Sequence, residues 1–144
     1  MMAEDNPLAG TWRLVSYKMM YPDGIVELPY GKEPRGYMLF TDDGFMSVVI
    51  VRGDRTGCES CAPLSKIGLA QQADALYRSY CGSYEVREDT LICQVRISQL
   101  PQWMGALHVR TFRIERNRLT LTTPEGEGKA PLVMTWEREI ARTC

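Results

Sequence analysis

For most of its length the chain runs in short apolar, aromatic and β-branched stretches bounded by turn residues, several of them alternating apolar and polar side chains with a period of two. That period sends residues i, i+2 and i+4 to one side of an extended backbone, as in a half-buried strand. The pattern predicts eight strands, at 10–21, 35–41, 45–51, 83–87, 90–98, 106–115, 118–123 and 132–138, rich in aromatic and β-branched residues. Turn chemistry separates them. Pro22-Asp-Gly24 is a turn signal, after which 25–28 extends the first hairpin, and 29–34 is a loop. Asp42-Asp-Gly44 supplies the positive φ angles of a tight hairpin. Glu88-Asp89 and Arg116-Asn117 are two-residue turns, the second with Asn117 as the residue tolerant of left-handed geometry, and 124–130 is a Gly-rich loop. One segment changes period. Leu64, Ile67, Leu69, Ala73, Leu76, Tyr77 and Tyr80 recur at steps of three and four, and Ala70-Gln-Gln-Ala-Asp-Ala has high helix propensity. A helix is therefore predicted over 64–80, with Pro63 before it and Ser65 as cap. The connection 52–63 reads as mobile.

Strands joined by tight turns are antiparallel neighbours, and eight of them can close a barrel that leaves no sheet edge and encloses one small ligand. An open sandwich is the alternative. The expected fold is thus all-β: an eight-stranded antiparallel up-and-down barrel, with one helix inserted between strands three and four and covering an opening. A single domain is expected over 1–144, with 1–8 as lead-in and 139–144 as tail.

Composition narrows the function classes. The 144 residues suit one domain with an ordinary core, 44% of them hydrophobic. A net charge of −1, with acids and bases interspersed, excludes the basic patch that a nucleic acid or anionic membrane surface calls for. No apolar run approaches membrane-spanning length, and the first residues lack the basic and apolar regions of a signal peptide, so the expected compartment is cytoplasmic. Five cysteines, Cys58, Cys61, Cys81, Cys93 and Cys144, are an odd number. Cys58-Glu-Ser-Cys61 has the two-residue gap of zinc and redox sites but lacks two further ligands at sensible spacing. Plain loop cysteines are the expectation there, ahead of a disulfide or a metal, and no cofactor or metal is expected.

The candidate chemistry lies around the sixth strand. Leu100-Pro-Gln-Trp103-Met-Gly105 forms a turn, and the following strand carries the sole histidine. His108, Arg110, Phe112 and Ile114 share one face, and Leu107, Val109, Thr111 and Arg113 the other; both faces are mixed, so pattern alone leaves open which is inside. If the His108 face is inside, an imidazole and a guanidinium enter an apolar interior and must be paired or meet a ligand. A neutral imidazole can act as acid or base near pH 7, and a guanidinium can hold a carboxylate, enolate or phosphate oxygen. The plain structural alternative pairs Arg110 with Glu85 or Glu137 and lets His108 bond a neighbour. Gln94 sits with Ile92, Arg96 and Ser98; placed across from Arg110 it would complete a polar floor. Tyr37, Phe40, Met46, Tyr84, Trp103 and Phe112 are the large side chains expected nearest a cavity, as lining or as ordinary core.

Four pieces taken together resemble the small bacterial and fungal lipocalin-like domain family, a calycin-type barrel. They are Gly10-Thr-Trp-Arg-Leu-Val-Ser16, Gly36-Tyr-Met-Leu-Phe-Thr-Asp-Asp-Gly-Phe-Met-Ser47, Tyr80-Cys-Gly-Ser-Tyr-Glu-Val86 and Pro101-Gln-Trp-Met-Gly105 leading to Arg110. The Gly-x-Trp opening, with Trp136-Glu-Arg138 at the close, is similar to the lipocalin device in which a terminal arginine packs across the first-strand Trp and seals one end. The resemblance covers about 8–138 and implies a cytosolic, stand-alone barrel. Related barrels in natural-product biosynthesis work as cyclases or isomerases. Many relatives carry a His pair where this chain has Cys93-Gln94, and often Gln where it has His108, so activity tied to that pair does not transfer. The expected function is binding of a small, largely apolar organic molecule, with cofactor-free cyclisation or isomerisation by His108, Arg110 and Gln94. The alternatives are a non-catalytic carrier or sensor, or a filled barrel working through its surface. A monomer or homodimer is expected.

Overall fold

The computed structural model describes residues 6–53, 77–123 and 131–140. They form one antiparallel sheet of nine strands: β1 (Gly10–Met20), β2 (Val26–Glu27), β3 (Arg35–Phe40), β4 (Phe45–Val51), β5 (Tyr77–Arg87), β6 (Thr90–Ser98), β7 (Leu107–Glu115), β8 (Arg118–Thr122) and β9 (Leu132–Glu139). Each strand from β3 onward pairs with the next, β3 pairs with β1, and β1 pairs with β9, which closes an eight-stranded barrel. The two-residue β2 only lengthens the β1 hairpin, through Met19 with Glu27 and Met20 with Val26.

Alternation decides what fills the interior. In β4 the inward Met46, Val48 and Ile50 are buried and the intervening Phe45, Ser47 and Val49 are exposed. Trp12, Leu14, Met38, Phe40, Leu91, Cys93, Leu119, Leu121 and Trp136 are among the residues that join them in the core, and a fully buried side chain of this kind contributes about 1.5–3 kcal/mol. A bulge between Leu14 and Ser16 shifts the phase of β1, so that Tyr17 and Met19, not Ser16, continue the inward row.

The two barrel ends differ. At one end the strands are joined by the tight turns 41–44, 88–89 and 116–117. Residues 6–8 of the expected lead-in, with Ala9, form a plug there. The Trp12 indole donates to the Leu8 carbonyl at 2.9 Å. The Arg138 guanidinium lies 4.2 Å from the Trp12 ring and donates to the Ala9 and Pro7 carbonyls at 2.9 Å each. Tyr84 donates its hydroxyl hydrogen to the Thr41 carbonyl and accepts one from the Asn6 amide, both at 2.6 Å. At the other end lie the described connections 21–34 and 99–106.

Three expectations need correction or fall elsewhere. Residues 77–80 are not the end of a helix but the start of β5, with Tyr77 opposite Val51 and Tyr80 opposite Val48. The remainder of the expected helix lies outside the described residues, as do Cys58, Cys61 and Cys144. In the two-residue turns the left-handed residue is the first, Glu88 at φ 56° and Arg116 at φ 59°, and not Asn117.

Candidate functional site: a polar chamber at the open end of the barrel

Strand phase assembles the site. His108 is the register partner of Cys93, and Arg110 of Leu91. Cys93 and Leu91 are buried core residues, so the His108 face of β7 is the inner one. On β5 the inward row Gly82, Tyr84 extends back through Tyr80 to Arg78, near the start of the strand. Tyr17, past the β1 bulge, reaches the same half of the barrel.

Aromatic contacts tie these groups together. The His108 ring stands edge-on to Tyr80 at 5.1 Å and to Trp103 at 4.6 Å, and Tyr80 meets Trp103 at 5.7 Å. Trp103 ends the short 3-10 turn Pro101–Trp103, begun by proline. Gly105 allows the chain to turn back: at φ 88° it adopts the left-handed conformation, and its N–H donates to the Val95 carbonyl at 2.8 Å. The Arg78 guanidinium lies 4.7 Å from the Trp103 ring and donates to the Tyr30 hydroxyl at 3.2 Å. Tyr30 is buried and packs edge-on to Tyr17 at 4.7 Å. Arg110 donates to the carbonyl of its own neighbour Val109 at 3.0 Å.

The electrostatics follow from burial beside two cations. Burial, then Arg110 and Arg78, lower the His108 pKa from 6.5 to about 4, so the imidazole is neutral at pH 7. Its Nδ1 is buried without a hydrogen-bond partner, a state shared among the described residues only with the Trp136 indole nitrogen. Burial raises the Cys93 thiol to about 12 and the Tyr17 phenol to about 12, and pushes Tyr80 up as well. All three keep their protons near neutrality. Cys93 is therefore no thiolate, and the chamber offers one titratable base, two guanidiniums and neutral hydroxyls.

The expected site residues separate into three groups. His108, Arg110 and Trp103 meet in this chamber, and Phe112 continues the inward row of β7 below it. Phe40, Met46 and Tyr84 belong to the sealed half, where Phe40 packs edge-on to Tyr84 at 4.8 Å. Gln94 and Tyr37 face outward. Gln94 is exposed opposite Leu107, because Cys93 takes the inward position, and it lines a shallow outer depression of about 250 Å³ with Ser83 and Ile92. Tyr37 is exposed between the inward Gly36 and Met38 side of β3, since Met38 and Phe40 hold the buried phase. Neither expected partner takes Arg110: Glu85 pairs with Arg87 at 3.3 Å, and Glu137 with Arg13 at 2.8 Å and Arg118 at 2.7 Å, all on the outer wall. Sequence reasoning missed Arg78, Tyr80, Tyr17 and Tyr30. A larger open groove of about 710 Å³ lies between β1 and the 31–35 loop, but its lining is mixed in charge and includes none of the chamber residues.

Among the described residues no group of three His, Cys, Asp or Glu is placed to hold a metal ion, and no helix is long and apolar enough to cross a membrane.

Comparison with known proteins agrees with this architecture. The crystal structure of a lipocalin-like protein from Bacteroides uniformis superposes with a TM-score of 0.51 at 16% identity, over 93% of this chain and all (100%) of that one. A mutant of the fluorescent protein UnaG gives a TM-score of 0.43 at 14% identity, over 95% of this chain and 98% of that one. No curated protein matches the chain. The lipocalin-like domain family matches residues 9–139, from the plug through all nine strands. The chain belongs to the lipocalin-like domain family.

Proposed function

We propose that the barrel binds a small, largely apolar organic molecule, with the chamber at its open end gripping the polar part. The observation that carries this reading is the His108 Nδ1, buried and unbonded beside two inward guanidiniums. Buried polar groups are ordinarily satisfied, and a set left open at one end of a closed barrel is what a ligand completes. Trp103, Tyr80 and Tyr17 suit a flat body, and Phe112, with Phe40 and Met46 below, supplies the apolar wall. The test uses N-phenyl-1-naphthylamine, a neutral fluorophore. Saturable binding of one molecule per chain, with quenching of Trp103 emission that is lost in Trp103→Phe, is the expected result. Fluorescence that rises without saturation would overturn the reading.

A second reading adds turnover: cofactor-free cyclisation or isomerisation, with neutral His108 taking a proton from a carbon next to a carbonyl and returning it elsewhere, while Arg110 holds the oxygen. Unpartnered His108 favours it, but magnitude sets a condition. A base lowered from 6.5 to about 4 forfeits about 3 kcal/mol of driving force for proton uptake, at about 1.36 kcal/mol per pH unit. Turnover thus needs a bound group that offsets the two guanidiniums. With Gln94 on the outer wall, carriage without turnover asks less of the residues present. Exchange of deuterium from solvent into a bound ketone, abolished by His108→Gln, distinguishes turnover from carriage.

A further inference from the structure

We propose that the barrel's ligand is an organic carboxylate, an apolar body bearing one anionic oxygen pair, received by Arg78 of β5 and Arg110 of β7. The inference rests on the binding reading above and names the class of ligand.

Placement of charge is the argument. Four arginines on the outer wall have acid partners, Arg13 with Glu137 and Glu139, Arg87 with Glu85, Arg113 with Glu115 and Arg118 with Glu137, and a fifth, Arg96, lies over the Phe45 ring. Those carboxylates all lie on outward positions of their strands, and the other described acids lie in turns and loops or on the exposed β2. No carboxylate among the described residues faces inward. Three arginines do. Arg138 is absorbed in the plug, over Trp12 and two carbonyls. Among the described residues Arg78 has one hydrogen bond, to a tyrosine hydroxyl, and an aromatic face; Arg110 has one, to the carbonyl of Val109. A guanidinium carries five N–H donors in a planar fork, so most of both forks is unused. Bringing two like charges into a tyrosine-, tryptophan- and histidine-lined interior is costly unless an anion meets them.

The same chemistry selects the anion. Planar forks match a carboxylate with paired N–H···O bonds. A phosphate dianion is ordinarily held by backbone N–H groups of a glycine-rich loop or helix start as well, and the described groups around His108 are side chains. Tyr80, Trp103 and His108 offer ring surface to an apolar body, and besides the two guanidiniums the donors there are neutral: hydroxyls, the Trp103 indole N–H and the imidazole N–H.

Competition against N-phenyl-1-naphthylamine tests this with 2-naphthoate, its neutral isostere 2-naphthamide, and 2-naphthyl phosphate. Naphthoate is expected to bind at least tenfold more tightly than naphthamide, and Arg78→Gln and Arg110→Gln should each pull that ratio towards one. A naphthoate-to-naphthamide ratio below twofold, or one kept by the double variant, overturns the proposal, as does tenfold tighter binding of the phosphate. If the reporter itself does not bind, the binding reading falls and this inference with it; if it binds and the ratio is flat, only the inference falls. A second measurement needs no variant. Arg78, Arg110, Tyr80 and Cys93 surround His108, the sole histidine, so one imidazole resonance reports the chamber. Naphthoate at saturation should raise its midpoint from about 4 by at least one pH unit, and naphthamide should leave it in place. An unmoved midpoint with bound naphthoate overturns the proposal.

Discussion

His108 shows how a single residue can be legible in identity and illegible in environment. Its place on an alternating strand put it with Arg110 and Phe112, and the structure keeps that face together. The face of the neighbouring strand was not legible. Alternation fixes which residues of β6 travel together, but only the register, with Cys93 opposite His108, fixes which row is inward. Gln94 therefore went outward while the buried partner proved to be a cysteine. Arg78 and Tyr80 were hidden differently, by an apparent helical spacing. Burial of His108, beside Arg110 and Arg78, has as its consequence a pH dependence with a definite sign. Between pH 6.5 and about 4 the unfolded chain holds a proton on His108 that the folded chain refuses, so folding stability falls as the pH is lowered through that window. At about 1.36 kcal/mol per unit the full shift is worth about 3 kcal/mol, and the partial exposure of His108 discounts this to about 1–2 kcal/mol. Carboxylates titrate in the same range, so the measurement is a difference. Urea denaturation at pH 7.5 and pH 4 should show wild type losing about 1–2 kcal/mol more than His108→Gln. Equal losses would mean that the imidazole is solvated and carries its proton in the folded state.

At the scale of elements, strands that begin at a tight turn were readable to within two residues. Phe45–Val51 and Thr90–Ser98 appear with the bounds their patterns predict. β5 was readable only in its second half. Its first residues, Tyr77-Arg-Ser-Tyr80, show no alternation of hydropathy, because the inward row there is polar: Arg78 belongs to the chamber. Tyr77 and Tyr80, spaced by three after an Ala-rich run, imitate a helix face, and Cys81-Gly82 then resembles its stop. The structure gives Gly82 another reason. It sits at mid-strand beside the β5–β6 irregularity, where Tyr80 faces Ser98 but Gly82 faces Val95, and a Cβ there would fall 1.9 Å from the Gln94 carbonyl oxygen. That neighbour is backbone held in the ladder, so it cannot rotate away. Gly82→Ala should cost about 2–4 kcal/mol, against well under 1 kcal/mol for a typical exposed substitution such as Ser47→Ala on the outer face of β4. Thermal unfolding of the two variants checks this, and similar midpoints would show that the bulge accommodates a methyl group.

The whole molecule separates charge by side. Acids and bases pair on the outer wall, and the net charge of −1 is the sum over both surfaces, while Arg78 and Arg110 stand on the inner side with no inward carboxylate among the described residues. Composition could not reveal this, because a sum over the chain erases the difference between the two surfaces; topology does, by assigning each strand position to one of them. The three tryptophans sample the result at two depths. Trp12 and Trp136 are fully buried in the sealed half, and Trp103 lies half-buried at the open end, under Arg78. Ionic quenchers of opposite sign therefore read the field directly. Iodide should reach one emitter of three, giving a quenching curve that levels off, and Trp103→Phe should remove the quenchable part. Caesium, attracted if anything by the small net negative charge, should be repelled from the chamber. The iodide-to-caesium ratio of quenching constants in the folded protein should exceed that of the urea-unfolded chain severalfold, and Arg110→Gln should lower it. Salt screens interactions beyond about 8–10 Å at these ionic strengths, so an excess that persists reports charges within a few ångströms of Trp103 and not the outer wall. A ratio equal to that of the unfolded chain would mean that the two guanidiniums reach bulk solvent and set no field at the mouth of the barrel.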